Sequence, residues 1–118
     1  MNELKFNSQI CTTIEQSKRL LALGLKSETA DMCIDLYYED EPFAVKNKID
    51  YSKQTEFVPA WSLHRLIEIA EVSVEVSGLF VRISNAYCYE EKDNVYDNLI
   101  DAISELIAHE VFNKEYLK

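Results

Sequence analysis

The chain has 118 residues, a formal net charge of −9 and 47% hydrophobic residues. This size and balance predict a single globular domain over residues 1–118 with one apolar core. The excess of acidic side chains disfavours direct nucleic-acid binding, because phosphate contacts need clustered Lys and Arg. No apolar run approaches the roughly 18 residues of a membrane span, and residues 1–5 lack a signal-peptide pattern. We therefore expect a cytoplasmic protein that makes no membrane contact.

The first predicted element is a helix over residues 13–23. Two threonines precede it, and each has a Glu or Gln three residues later, so either register makes a capping box. Gly24 suits the left-handed residue after the helix, and Leu25 is placed to fold back on Leu20 as in a Schellman motif. Local signals therefore predict both ends of this helix.

The pattern then switches to period two, which predicts a strand over residues 32–38 with one buried face. That face carries Met32, Ile34, Leu36 and Tyr38. A polar break separates the strand from a second alternating segment, residues 43–49, so the two are predicted to form a hairpin. Residues 50–58 are typical of a loop.

The second predicted helix has two candidate starts. Pro59 suits a first helical turn, where its missing N–H costs nothing. Alternatively, Ser62 is the N-cap and Trp61 packs on Leu66 as a hydrophobic staple. In both cases the buried stripe of the helix is Leu63, Leu66, Ile67 and Ala70.

A second hairpin and a third helix complete the predicted elements. Residues 72–76 and 79–83 alternate on either side of a Ser-Gly turn, and the Tyr87–Tyr89 segment is predicted to add an edge strand. Asp93 or Asn94 caps the long third helix, whose wide apolar face predicts packing on the sheet. This order predicts an α+β fold: a mainly antiparallel sheet built from two hairpins and covered by three helices.

The sequence contains no recognisable motif for catalysis or for cofactor binding. His64 and His109, its two histidines, lie in different predicted elements and lack the HxxxH or HExxH spacing of a zinc site. With two glycines in all, the chain cannot build a Gly-rich phosphate loop. We therefore expect no catalytic residue, no metal and no cofactor, while a small enzyme with a site assembled around His64 stays open as an alternative.

One candidate binding cluster lies on the second predicted helix. Trp61, His64, Arg65 and Glu68 fall on one side of that helix. An aromatic ring, an imidazole and a guanidinium group together suit the recognition of an anion or a protein. The simpler interpretation is a packing role for Trp61 and a surface ion pair between Arg65 and Glu68.

A row of acidic residues on the third predicted helix is the second candidate. Asp93, Asp97, Asp101 and Glu105 recur every four residues, and His109 continues the row. Like charges at this spacing destabilise a helix by a few tenths of a kcal/mol each. If the row is only solvated, neutralising Asp101 and Glu105 together should stabilise the fold by up to about 1 kcal/mol. Alternatively, the carboxylates of Asp97, Asp101 and Glu105 form a negative strip for a basic partner.

These features favour an accessory protein that binds another protein through an acidic surface. A phosphate-mimicking inhibitor of a nucleic-acid-binding protein is a narrower alternative, beside the small enzyme around His64. Homo-oligomerisation stays open, because composition and spacing do not address it.

Several segments of the chain carry a resemblance to a known family, namely residues 6–17, 23–25, 28–32, 59–63 and 112–117. The first of them, Phe6 to Ser17, is the most specific. These segments resemble a family of short, uncharacterised proteins from gut Bacteroides-type bacteria and their phages or mobile elements. The resemblance implies a bacterial or phage setting and no activity, ligand or catalytic residue. Its members often have a glycine near position 110, so Glu110 implies a last helix that runs further.

Cys11, Cys33 and Cys88 are predicted to be free thiols, because an odd, widely spaced set does not make a disulfide framework. The helix dipole could activate Cys11, which lies just before the first helix, but no histidine is near it in sequence, so a buried thiol is favoured. Alkylation of the denatured, unreduced protein should give an intact mass with three modified cysteines. A mass with one modified cysteine would contradict this prediction.

Overall fold

The computed structural model describes residues 9–77, 80–84, 89–92 and 94–118. Within these ranges lie three α-helices and two three-stranded antiparallel sheets, which confirms the predicted α+β class. The helices are α1 (Ile14–Ala22), α2 (Leu63–Ala70) and α3 (Val95–Ala108), with 3₁₀ turns at Ser27–Thr29 and Lys114–Tyr116. The strands are β1 (Met32–Asp35), β2 (Phe43–Ala44), β3 (Phe57–Ala60), β4 (Ser73–Ser77), β5 (Phe80–Ser84) and β6 (Tyr89–Lys92). No helix in the described ranges is long and apolar enough to cross a membrane.

Helix α1 begins and ends at signals in its own sequence, as predicted. The Thr13 hydroxyl accepts a hydrogen bond from the Gln16 N–H at 3.1 Å, and the Gln16 side chain accepts one from the Thr13 N–H at 3.0 Å. At the other end Gly24 has a φ of 105°, and the Leu25 N–H donates to the Leu20 carbonyl at 3.3 Å. This is the expected Schellman motif, with both leucines buried.

Strand β1 is three residues shorter than predicted. The Asp35 carboxylate accepts a hydrogen bond from the Tyr37 N–H at 2.9 Å, and the Tyr38 N–H donates to the Asp35 carbonyl at 3.0 Å. An aspartate that binds the backbone two residues later stabilises a turn. The prediction of a buried face that includes Leu36 and Tyr38 was therefore wrong, since both side chains are exposed.

The main partner of β1 is β3, which lies partly in the predicted loop. The sheet order is β2-β1-β3, with four residue pairs between β1 and β3 and two between β1 and β2. Pro59 lies in β3, opposite Cys33, and not in a helix. A proline is tolerated there because an edge strand leaves one side of its backbone unpaired. The two predicted hairpins are therefore not confirmed as the basis of the sheet.

The second sheet has the order β4-β5-β6. Val76 pairs with Val81 in antiparallel register, as the alternating pattern predicts. Of the predicted features around this sheet, Gly78, Tyr87, Cys88 and Asp93 lie outside the described residues.

Helices α2 and α3 each begin at a residue whose side chain caps the first turn. The Ser62 hydroxyl accepts a hydrogen bond from the Arg65 N–H, so the Ser62 alternative is confirmed. The Asn94 side chain accepts from the Tyr96 and Asp97 N–H groups and caps α3. Both helices therefore begin where a short polar side chain satisfies backbone donors that the first turn leaves open.

The main core lies between the three helices. Helix α3 supplies its largest buried set: Tyr96, Leu99, Ile100, Ala102, Ile103 and Leu106. Leu20 of α1 and Leu66 of α2 pack into the same cluster, together with Trp61. A smaller cluster of Cys11, Ile34 and Ala60 lies under the first sheet.

Helix α3 ends at Ala108 and does not run further, contrary to the expectation from Glu110. The Glu110 N–H donates to the Ile107 carbonyl and the Val111 N–H to the Leu106 carbonyl, both at 3.0 Å. This Schellman motif requires a left-handed residue, and Glu110 adopts a φ of 59°. A residue with a side chain is strained in that conformation.

We expect Glu110→Gly to raise the free energy of unfolding by up to about 1 kcal/mol, because glycine adopts positive φ without steric cost. The measurement is urea denaturation followed by circular dichroism. Glu105→Gly, inside α3, is the matched control and should lose about 1 kcal/mol. A loss of stability in Glu110→Gly would contradict the left-handed assignment.

Candidate functional site

Trp61 is fully buried and joins three segments of the chain. Its indole N–H donates to the Thr29 hydroxyl at 3.0 Å, and its backbone N–H donates to the Thr12 hydroxyl at 3.0 Å. Its carbonyl accepts from the Thr12 N–H at 2.9 Å. Trp61 therefore packs beneath the surface on which His64 lies exposed, and the structure separates these two predicted site residues.

Arg65 connects α2 to two other parts of the fold. Its Nε donates to the Thr29 carbonyl at 2.7 Å, and its guanidinium group pairs with Glu68. The same group lies 5.7 Å from the centroid of the Tyr116 ring, within cation–π range. The predicted Arg65–Glu68 pair is confirmed, and Arg65 has a clear structural role.

The acidic row of α3 does not form one solvated face. Asp97 accepts a hydrogen bond from the Gln16 side chain at 2.8 Å, and Asp101 forms an ion pair with Arg19. Both partners belong to α1, and the Asp101 side chain is only 15% exposed. Glu105 remains exposed, so of the three predicted binding carboxylates one faces solvent freely. The reason is that α1 packs against α3 along this row, which spacing within one helix cannot reveal.

The thiols of Cys11 and Cys33 are free and buried. Burial raises the pKa of Cys11 to about 11, and the Asp31 carboxylate adds to the increase. Burial also raises the pKa of Cys33. A thiol that stays protonated at neutral pH is a poor nucleophile, which supports packing roles for both residues.

Four of the six exposed large apolar side chains in the described part of the chain surround the turn after β1. Leu36, Tyr37, Tyr38 and Phe43 are 42%, 82%, 63% and 39% exposed. Five carboxylates surround them in sequence and space, and with these four residues they form what we call the aromatic–acidic surface: Asp35, Glu39, Asp40, Glu41 and Glu56. Sequence reasoning missed this surface because it assigned residues 36–38 to a half-buried strand.

The backbone of the aromatic–acidic surface is held by successive turns. Besides the two bonds to Asp35, the Glu41 N–H donates to the Tyr38 carbonyl at 3.0 Å, and the Leu36 N–H donates to the Glu56 carbonyl at 2.8 Å. The Phe43 and Phe57 rings meet edge to face with centroids 5.7 Å apart. The exposed tyrosines are therefore presented from an ordered frame.

Two open depressions flank this turn, and both are acidic. One, of about 740 Å³, is lined by residues that include Asp35, Tyr37 and Glu56. The other, of about 680 Å³, is lined by residues that include Ile10, Glu15, Glu39 and Asp40. Among the described residues, no Lys, Arg or His lines either depression. Such a surface attracts positive charge.

The described residues do not include a group of three or more His, Cys, Asp or Glu side chains that could hold a metal ion. No family model, no curated protein and no solved structure matches the chain. The resemblance to short proteins of gut Bacteroides-type bacteria therefore stays a prediction, and functional inference rests on the geometry of the chain itself.

Trp61→Ala should lower the free energy of unfolding by about 3–5 kcal/mol, because it removes a fully buried ring. Trp61→Phe is the matched variant: it keeps most of the apolar volume and leaves the Thr29 hydroxyl without its indole donor, at a cost of about 1–3 kcal/mol. Urea denaturation measures both. A change below about 1 kcal/mol in Trp61→Ala would contradict a packing role.

The ion pair between α1 and α3 reverses the effect expected of Asp101. Asp101→Asn should cost about 1 kcal/mol, because it removes a half-buried charge partner of Arg19. Glu105→Gln, one turn along the same row, should change stability by less than about 0.5 kcal/mol because its side chain is exposed. Thermal denaturation of the two single variants separates these outcomes. An increase in the stability of Asp101→Asn would support the interpretation that the acidic row is only solvated.

Proposed function

We propose that this protein is a non-enzymatic accessory protein that binds a basic partner protein through the aromatic–acidic surface. The observation that carries the proposal is the pair of exposed tyrosines, Tyr37 and Tyr38, on a turn whose flanking depressions are lined by carboxylates without a cation among the described residues. Tyrosines and other aromatic side chains commonly dominate the binding energy of protein interfaces.

The ordered turn supports binding because it lowers the entropic cost of association. A tyrosine has two rotatable χ angles, and its backbone here is already fixed by hydrogen bonds to Asp35. A ring that is presented in this way loses little further freedom when a partner covers it. Exposed apolar groups that lie together and are surrounded by polar groups are typical of interaction sites.

The charge of the surface selects the kind of partner. Carboxylates at the rim steer a basic protein towards the tyrosines and repel an acidic one. In a symmetric dimer through this surface, a second copy of this chain would bring the same carboxylates face to face, and each copy already carries a net charge of −9. Charge complementarity therefore favours a partner rich in Lys and Arg over self-association.

The phosphate-mimicking alternative has less support. Two of its three predicted carboxylates, Asp97 and Asp101, are bound to α1. The exposed acids Glu39, Asp40 and Glu41 follow one another directly and have aromatic neighbours, which suits a mixed protein interface better than an imitation of a phosphate row.

The test is capture of partners on the immobilised protein from cells that express it, with mass spectrometry of the retained proteins. Tyr37→Ala/Tyr38→Ala should leave the melting temperature unchanged, because both rings are exposed, and should weaken capture at least tenfold. Proteins retained by the wild type and lost in this variant are expected to be basic and to dissociate as salt rises.

A charge-matched pair of triple variants isolates the electrostatic contribution to partner binding. Glu39→Gln/Asp40→Asn/Glu41→Gln should reduce capture of the basic partner. Glu105→Gln/Glu110→Gln/Glu115→Gln removes the same charge from exposed positions elsewhere and should retain it. Equal capture by the wild type and the tyrosine variant would refute the proposed surface.

A further inference from the structure

A second surface, separate from the aromatic–acidic one, collects positive charge. Two adjoining depressions of about 600 and 690 Å³ share lining residues that include Ser27, Lys48 and Tyr51, so they form one continuous groove. We call it the basic groove. Its lining includes four lysines, Lys26, Lys46, Lys48 and Lys118, besides His64 and Arg65. Among the described residues, none that lines this groove also lines a depression of the aromatic–acidic surface.

Most carboxylates of the basic groove are already engaged inside the chain. Asp31 accepts hydrogen bonds from the backbone and side chain of the Ser62 cap, and Glu68 pairs with Arg65. Asp50 accepts from the Ser52 N–H at 3.1 Å and lies 4.0 Å from Lys53. Glu28 is the remaining acidic side chain among the described lining residues.

The lysines, in contrast, have their charges available. Within the described part of the chain, no ion pair joins Lys26, Lys46, Lys48 or Lys118 to a carboxylate. The described lining residues carry five permanent positive charges and four carboxylates, so the groove has a formal charge of +1. A local positive excess, although it is one charge, is unexpected in a chain of net charge −9 and favours an anionic ligand.

The backbone around these lysines is fixed from several sides. The Lys26 N–H donates to the Tyr116 carbonyl at 2.9 Å, and the Lys118 N–H donates to the Gly24 carbonyl at 2.8 Å. The segment that carries Lys46 is tied by the Val45 N–H to the Asp31 carbonyl at 2.9 Å. Arg65 supports the same wall through the Thr29 carbonyl. The backbone segments that carry Lys26, Lys46 and Lys118 are therefore held in place before a ligand arrives.

We propose that the basic groove binds a small organic anion with two or more negative charges, a phosphate ester or an oligocarboxylate. Each depression has a volume typical of small-molecule sites. Lysine ammonium groups act as point charges that accept either kind of anion. Nucleic acid is disfavoured as the ligand, because the acidic surface elsewhere repels a long polyanion.

Isothermal titration calorimetry of the full chain with inorganic pyrophosphate and with citrate tests this proposal. At least one probe should bind, more weakly as salt rises, and the preferred probe distinguishes phosphate from carboxylate. Lys46→Gln/Lys48→Gln should weaken binding about thirtyfold. This factor corresponds to the loss of two contacts between unit charges in water, one for each lysine. Lys18→Gln/Lys114→Gln removes the same charge outside the groove and should change binding less than about threefold.

Two results would overturn the proposal: no binding of either probe at about 10 mM, or equal weakening by both double variants. Circular dichroism melting confirms that each variant is folded. Tyr37→Ala/Tyr38→Ala should bind the probes like the wild type, because the two surfaces share no lining residue in the described part of the chain. The outcome is thus independent of the test for partner binding.

Discussion

The buried indole of Trp61 is the contact on which much of the fold depends. Its backbone pairs with Thr12 just before α1, its ring donates to Thr29 in the 3₁₀ turn, and its own position precedes α2. Three segments that are distant in sequence are therefore fixed at one point. Because the ring is completely enclosed and its N–H has a partner, burial carries no unpaired-donor penalty. The wall of the basic groove rests on the same contact, since Thr29 also binds Arg65.

The aromatic–acidic surface and the basic groove have opposite charge and are built on different structural elements. The aromatic–acidic surface extends from the end of the first sheet, where the Asp35 turn stops β1 and projects the tyrosines. The basic groove lies between the 3₁₀ turn, residues 45–52 and α2. Because the two charged surfaces are separated, each keeps its own electrostatic potential. If their side chains were interspersed, the opposite charges would largely cancel at short range. The proposed basic partner and the proposed small anion would therefore bind at separate places on a chain with an overall excess of carboxylates.

The charges of α3 illustrate how packing changes the meaning of a sequence pattern. A row of carboxylates every four residues is self-repelling on an isolated helix. In the fold, Arg19 and Gln16 of α1 reach Asp101 and Asp97, so that part of the row joins two helices. Glu105, one turn further on, has no such neighbour on α1 in the described residues and stays exposed. The same pattern therefore contains two structural contacts and one solvated charge.

The sequence by itself determined the features whose partners lie within a few residues. The left-handed Gly24 was predicted directly, and the capping box at Thr13 and the Ser62 and Asn94 caps were each one of two predicted alternatives. Each of these features depends on hydrogen bonds across one helical turn. Only the tertiary structure decided that β1 pairs with β3 through Pro59, that Arg19 meets Asp101 and that lysines at positions 26, 46, 48 and 118 line one groove. These contacts join residues tens of positions apart, as with the 82 positions between Arg19 and Asp101. Local spacing contains no information about which distant segments meet, because that choice depends on how the apolar faces of all elements are buried together.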